Sequence, residues 1–192
     1  FGRVSRNSID AVSDRDFVID FQQAAAMTMM HISRLAEEII LWSSSEFGFV
    51  RLPAAFATGS SIMPQKRNPD IAELARGRTG RVYGNLIAAL TTMKGLPLSY
   101  NRDLQEDKEA LFETTDTLMS TLGVFAGMLS ELIFDKDKME AAAAGGYSLA
   151  TDLADYLVRK GMPFRDAHQA VAALVESAQA AGKSLGDLTL EE

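Results

Sequence analysis

The sequence predicts an all-α protein, in which a bundle of long helices is followed by a small helical domain. Runs of alternating apolar and polar residues are almost absent, and there is no Asn-Gly or Asp-Gly hairpin turn. Apolar residues instead recur every three or four positions through several long segments. With 192 residues, of which 47% are hydrophobic, the chain is long enough to bury a sizeable core.

The first long helix is expected from Asp14 to Ser45, where Ser13 and Asp16 would form the capping pair that opens it. Such a helix would extend over about 48 Å, so it needs other helices to cover its apolar face. That face comprises Val18, Phe21, Ala25, Thr28, Ile32, Leu35, Ile39 and Trp42.

A second helix is expected from Pro69 to about Met93. Three glycines, Gly77, Gly80 and Gly84, lie on one stripe of this helix. Because each glycine costs about 1 kcal/mol relative to alanine in a helix interior, we expect another backbone to approach closely at this stripe.

A third long helix is expected from about Asp103 to Phe134. Three helices with long apolar stripes predict a bundle that other subunits complete, and therefore a homo-oligomer. The alternative is a self-contained three-helix monomer. The stripe of the third helix comprises Leu111, Thr115, Leu118, Leu122, Phe125, Leu129 and Leu132.

Shorter elements after Asp135 predict a second domain, so that residues 1–135 form the central bundle and residues 136–192 begin a small helical domain. An alanine-rich turn is expected to end at Gly145 and Gly146. Helices are expected from about Ser148 to Lys160 and from Phe164 to Ala181, since each is followed by glycine. Because the chain starts with phenylalanine and ends inside a new capping motif, we expect it to be part of a longer protein.

The composition favours a cytoplasmic protein that binds a small molecule. A net charge of −7 disfavours binding to nucleic acid, which needs an excess of lysine and arginine. We expect neither a membrane span nor a signal peptide, because no apolar run is long enough. The absence of cysteine excludes disulfides, and two distant histidines disfavour a zinc centre.

The most informative segment is the polar loop ATGSSIMPQKRNPD at residues 57–70. Ser60, Ser61 and Lys66 supply two hydroxyls and a positive charge just before a helix N-terminus, where backbone amides bind anions. We interpret the segment as a catalytic, anion-binding loop. The alternative is an ordinary helix entry, in which Asn68 caps the helix and Pro69 takes its first position.

Positive charge is in excess between residues 66 and 81, which suits a polyanionic substrate. The alternative is a solvated helix face with internal pairs, such as Glu73 with Arg76. The cations are Lys66, Arg67, Arg76, Arg78 and Arg81.

A second polar segment, SYNRDLQEDKE at residues 99–109, opens the third helix. Gln105 and Lys108 are three residues apart and share a helix face, so with Tyr100 they could converge on one carboxylate. A surface face with internal ion pairs explains these charges about as well.

Taken together, the two segments resemble the superfamily of fumarase, aspartase and argininosuccinate lyase. GSSIMPQKRNP at residues 59–69 is similar to its signature loop. Residues 7–17, 100–109 and 150–161 look like the argininosuccinate lyases in particular. The resemblance covers essentially the whole chain.

This resemblance implies cofactor-free cleavage of argininosuccinate to arginine and fumarate in arginine biosynthesis. It also implies a homotetramer, in which several subunits build each active site. The implied roles are catalysis by Ser60 and Lys66, and substrate binding by Asn68, Tyr100, Gln105 and Lys108.

The resemblance also indicates what is missing. The catalytic histidine of the family belongs to an N-terminal region that this chain lacks, and neither His31 nor His168 matches it. Two alternatives stay open: another fumarate-releasing lyase of the superfamily, such as adenylosuccinate lyase, or a crystallin-like structural relative without activity.

Overall fold

The computed structural model describes residues 4–59, 62–63, 67–145 and 147–189, and it confirms the all-α prediction. The chain divides into two compact units, Phe1–Phe134 and Asp135–Glu192. The assignment of these units to domains of a longer protein stays a prediction.

The first unit begins with a short helix, α1 (Ser8–Ser13), and a long one, α2 (Asp16–Ser43). The predicted capping pair of Ser13 and Asp16 is wrong. The Ser13 hydroxyl donates instead to backbone carbonyls inside α1, and the Asp16 N–H donates to the side chain of Asp14 at 2.8 Å. The separate α1 therefore precedes the long helix, which begins at Asp16 rather than at Asp14.

Two further long helices, α3 (Asp70–Met93) and α4 (Asp107–Ser130), pack beside α2. A 3-10 turn, Arg102–Glu106, replaces the first turn that was predicted for α4. Helix α3 is antiparallel to α2, because Arg76 pairs with Glu37 whereas Thr79 donates to the Met29 carbonyl. Helix α3 is antiparallel to α4 as well, because Arg78 donates to Ser120 whereas Asn85 donates to Thr114.

The core of this unit lies between the three long helices. One cluster of buried side chains comprises Ala36, Ile39, Leu52, Ala72, Ala75, Phe125 and Met128. A second comprises Ala25, Ala26, Met29 and Val82. Several of these residues are alanines, so the helices approach closely where they are buried.

The buried face of α4 differs from its predicted apolar stripe. Of that stripe only Phe125 is buried within α4, while Leu122 and Leu129 are 38% and 37% exposed. The inward face is rotated by about one residue and is rich in threonine: Thr114, Thr117 and Thr121. Leu118 and Leu132 of the stripe are half-buried against the core, so the uncovered part of the stripe in the described residues is Leu122 and Leu129.

The expected close approach at the α3 glycines is also absent among the described residues. A Cβ atom at Gly77, Gly80 or Gly84 would meet no atom of the described residues within 4 Å. In contrast, a Cβ at Gly127 of α4 would lie 3.0 Å from the Phe56 ring.

Two antiparallel pairs of very short strands complete the first unit. Strand β1 (Val50–Arg51) pairs with β4 (Ile133–Phe134), and β2 (Thr58–Gly59) pairs with β3 (Arg67–Asn68). Two residues are too few to produce a recognisable alternation, which is why the sequence did not predict these strands.

The second unit contains α5 (Lys136–Ala144), α6 (Ala150–Arg159) and α7 (Phe164–Ala181). The predicted alanine-rich turn is therefore wrong: it is a helix, which Asp135 caps by accepting from the Lys138 N–H at 3.2 Å. The bounds of α7 match the prediction, and Gly182 ends it with a left-handed φ of +65°. Among the described residues, no helix is both long and apolar enough to cross a membrane.

Candidate active site

The signature loop leaves and rejoins the fold through a strand pair. Thr58 lies opposite Asn68, and Gly59 lies opposite Arg67. Ser60 and Lys66, for which the resemblance implies catalysis, lie outside the described residues, so their roles stay predictions. The structure instead defines the two stems that hold the loop.

Besides the strand pairing, three hydrogen bonds that involve side chains join these stems among the described residues. Asp70 Oδ2 accepts from the Thr58 backbone N–H at 2.9 Å and from the Thr58 hydroxyl at 2.5 Å. The Asn68 side-chain amide donates to the Thr58 hydroxyl oxygen at 3.3 Å. The hydroxyl and backbone N–H of Thr58 hold the pKa of Asp70 below its ordinary value.

The alternative role of Asn68 as a helix cap is wrong. Pro69 occupies the N-cap position of α3, and no side chain caps the helix there. Asn68 turns its amide toward Thr58 instead. Its side chain is thus committed to the loop stem, and the predicted role in substrate binding remains compatible with this geometry.

A cavity of about 670 Å³ lies beside this stem, which is ample space for a small dicarboxylate. Its described lining includes Ser43, Arg67, Asn68 and Glu73. Arg67 also lines a neighbouring cavity of about 440 Å³ together with Arg51. Arg67 and the Asn68 amide thus line open space where the loop ends, and two carboxylates, Glu46 and Glu73, line the larger cavity with them.

Most of the other predicted cations are engaged elsewhere. Arg76 pairs with Glu37 of α2 rather than with Glu73, and Arg81 Nε lies 3.4 Å from a carboxylate oxygen of Glu113 on α4. These arginines connect helices, so they contribute little free charge to an anion site. The predicted polyanion site is reduced to the loop itself.

Hydrogen bonds within the second polar segment already hold its predicted substrate-binding side chains. The Gln105 side-chain amide donates to the Tyr100 hydroxyl, and Lys108 Nζ lies 3.0 Å from Asp107 Oδ1. Tyr100 follows Ser99, which has a left-handed φ of +73°. A non-glycine residue there costs about 1 to 2 kcal/mol, so the surrounding structure holds this turn in place.

Sequence reasoning missed the ion pair that anchors this segment. Arg15 Nε pairs with Asp107 Oδ2, and both side chains are mostly buried, with 15% and 13% of their surface exposed. Burial raises the pKa of Asp107, but hydrogen bonds from Arg15 and Lys108 outweigh it and lower the pKa overall. Arg15 lies in the 7–17 motif, which was noticed only as part of the resemblance.

The structure does not bring the two segments together. Asn68 precedes α3 and Tyr100 follows it, and the 24 residues of α3 span about 36 Å. The two histidines contribute to neither segment: His31 is exposed on α2, and the His168 ring lies 6.3 Å from that of Phe164 in the second unit. Among the described residues, no three potential metal ligands cluster.

Comparison with known proteins relates this geometry to a family. A family model described as lyase matches residues 1–84, and another, described as argininosuccinate lyase C-terminal, matches residues 147–192. Argininosuccinate lyases of Geobacter metallireducens and Geobacter sulfurreducens are 61% and 60% identical to the chain over all 192 residues. The chain spans 42% of the length of each.

Solved structures agree with this similarity. EDDS lyase in complex with formate has a TM-score of 0.81 and 35% identity, and the match covers 100% of this chain and 38% of that one. A class II fumarase from Schistosoma mansoni has a TM-score of 0.81 with 23% identity, covering 95% of this chain and 37% of that one, and this likeness concerns the fold.

The long-helix bundle, with the family models that match residues 1–84 and 147–192, is that of the fumarase and aspartase superfamily. Within that superfamily, the chain belongs to the argininosuccinate lyase family. The resemblance predicted from the motifs is confirmed.

Proposed function

We propose that the protein cleaves argininosuccinate to arginine and fumarate without a cofactor, as a cytoplasmic enzyme of arginine biosynthesis. The supporting observation is the sequence identity of about 60% to argininosuccinate lyases over the whole chain, which includes both polar segments. Because the chain spans 42% of those relatives, the proposal concerns the complete gene product.

The reaction removes a weakly acidic proton beside a carboxylate and expels a guanidino nitrogen. Its obstacle is the electron-rich intermediate, in which negative charge builds up on the carboxylate. Lys66, the loop amides and the N-terminus of α3 would stabilise this charge, and a well-placed donor is typically worth about 3 kcal/mol. Ser60 would remove the proton, with its alkoxide stabilised by the same positive environment.

Substrate binding is assigned to both segments. Asn68 would donate its amide to a substrate carboxylate, and Lys108 would add a positive charge. Because Gln105 donates to the Tyr100 hydroxyl oxygen, the hydroxyl hydrogen of Tyr100 is left to donate to the substrate.

We further propose a homotetramer whose active sites combine segments of different subunits. The separation of Asn68 and Tyr100 by the length of α3 supports sharing, since one copy cannot place both at one substrate. The exposed leucines of the α4 stripe, Leu122 and Leu129, and the open glycine stripe of α3 support association through these helices.

The test is an assay of the purified complete gene product for fumarate, using its ultraviolet absorbance. Argininosuccinate should be cleaved, whereas adenylosuccinate should not. The similarity to EDDS lyase favours one other candidate, cleavage of EDDS, so that compound belongs in the same series. A folded protein that is inactive on all three substrates would support the crystallin-like alternative.

A further inference from the structure

A single hydroxyl connects the two stems of the signature loop. Thr58 Oγ1 lies 2.5 Å from Asp70 Oδ2 and 3.3 Å from Asn68 Nδ2, and the Thr58 N–H donates to the same Oδ2 at 2.9 Å. Asp70 thus holds both the backbone and the side chain of Thr58. Thr58 in turn contacts a residue to which we assign substrate binding.

The chemistry of these groups fixes the direction of each hydrogen bond. The Asp70 carboxyl has a pKa below its ordinary value, chiefly because of the Thr58 hydroxyl, so at neutral pH it is ionised and only accepts. The hydroxyl must then give its one hydrogen to Asp70. Its oxygen is left to accept, and Asn68 must meet it with the NH2 end of its amide. The two ends of an asparagine amide are otherwise hard to tell apart.

We propose that Thr58, held by Asp70, is a positioning residue that orients the Asn68 amide for the substrate carboxylate. One Nδ2 hydrogen is used by Thr58, and the other is left to donate to a ligand oxygen. A flipped amide would present its carbonyl oxygen, instead of the NH2 group, to the substrate carboxylate and would repel it. The inference rests on the proposed function, because it requires Asn68 to contact the substrate.

This role differs from simple support of the loop stem. Thr58→Val keeps the β-branched shape, the strand pairing with Asn68 and the backbone N–H that donates to Asp70. It removes the hydroxyl, which donates to Asp70 and accepts from Asn68, so a comparison with and without the Asn68 amide separates orientation of that amide from support of the stem. The matched control is Thr91→Val in α3, because the Thr91 hydroxyl is exposed and donates to the Ile87 carbonyl of its own helix.

The experiment measures kcat and KM for argininosuccinate with the complete gene product. Thr58→Val should lower kcat/KM about tenfold, the effect of one hydrogen bond. Thr58→Ser should restore most of the loss, and Thr91→Val should cause none. In an Asn68→Ala background, Thr58→Val should have no further effect, because the amide that it orients is gone.

Equal losses in both backgrounds would overturn the inference, since Thr58 would then act independently of Asn68. An unchanged kcat/KM in Thr58→Val would also overturn the inference. Melting temperatures verify that each variant folds. If Thr58→Val does not fold, Asp70→Asn replaces it, because an amide at this position no longer dictates where the hydroxyl hydrogen points.

The affinity for fumarate, measured by calorimetry for Thr58→Val with and without Asn68→Ala, separates this inference from the proposed function. A wild-type protein that does not cleave argininosuccinate refutes the function. If Thr58→Val still weakens fumarate binding only when Asn68 is present, the orienting role stands without the reaction. Additive effects on fumarate affinity, or no fumarate binding by the wild type, would overturn the role.

Discussion

At the scale of residues, the structure assigns polar partners that differ from those expected. Asn68 does not cap α3; its amide donates to Thr58, and its expected role in substrate binding stays a prediction. Asp70, the first residue of α3, holds the opposite stem of the loop through Thr58, a contact that the sequence did not predict. Such partners depend on side chains about ten residues apart in sequence, which motif matching does not resolve.

Replacement of Ser60 by alanine should reduce kcat by several orders of magnitude and change KM little, because the proposed base acts on the reacting proton rather than in binding. The measurement is the initial rate of fumarate release by the complete gene product. Ser61→Ala is the matched control. If it abolishes turnover while Ser60→Ala does not, the assignment of the base is wrong.

Asp70 should make the stability of the fold depend on acid pH. Its folded pKa lies below the ordinary 3.8, so its ionised form contributes stability above 3.8, and this contribution is lost as the pH falls through the lower, folded value. The wild type should therefore melt above Asp70→Asn at pH 7, and the difference should shrink below pH 3.8.

Thermal melts recorded across this pH range check the prediction for Asp70. Thr58→Val is the control, because it removes the largest cause of the lowered Asp70 pKa. When both proteins carry Thr58→Val, the pH-dependent difference in melting temperature between Asp70 and Asn at position 70 should be smaller. A difference between wild type and Asp70→Asn that is the same at all pH values would contradict the assignment.

At the scale of elements, the buried ion pair of Arg15 and Asp107 joins the start of α2 to the start of α4. Arg15→Met should destabilise the fold by about 2 kcal/mol, because a mostly buried carboxylate loses its charged donor. Arg76→Met is a matched control: its pair with Glu37 is exposed, so its loss should cost less than about 1 kcal/mol.

Chemical denaturation of both arginine variants gives the free energies of unfolding. Equal losses would mean that burial does not strengthen the pair of Arg15 and Asp107. Arg15→Met should also raise KM, because Asp107 is left to bind Lys108 alone and competes with the substrate for its ammonium group.

The elements also show how far the sequence predicts local structure. Helix α7 has the predicted bounds, because its apolar period and Gly182 are both local signals. The alanine-rich stretch became α5 rather than a turn, because alanine is a strong helix former and Asp135 supplies a cap. A 3-10 turn precedes α4 where the sequence predicted the first turn of the helix, because the same apolar spacing cannot distinguish the two.

At the scale of the whole molecule, the two polar segments lie at opposite ends of α3, about 36 Å apart. Two inactive full-length variants, Ser60→Ala and Lys108→Ala, should therefore regain partial activity when they are refolded together. Some mixed sites then combine an intact loop from one subunit with an intact second segment from another.

A mixture of Ser60→Ala and Lys66→Ala is the control for this complementation. Both changes damage the same loop, so every mixed site keeps one defect and no activity should return. Recovered fumarate release is measured after joint refolding and compared with each variant refolded alone. No recovery in the first mixture would contradict shared sites.

The sequence by itself determined the helical class, the family and the identities of the proposed site residues, because helical periodicity and motif chemistry are encoded locally. Only the tertiary structure decided which face of α4 turns inward, that Arg15 anchors the second segment, and that Thr58 links Asp70 to Asn68. These features depend on which distant segments meet. The exposed leucines of α4 are the clearest case, because burial of a helix face is set by its neighbours and not by its own apolar pattern.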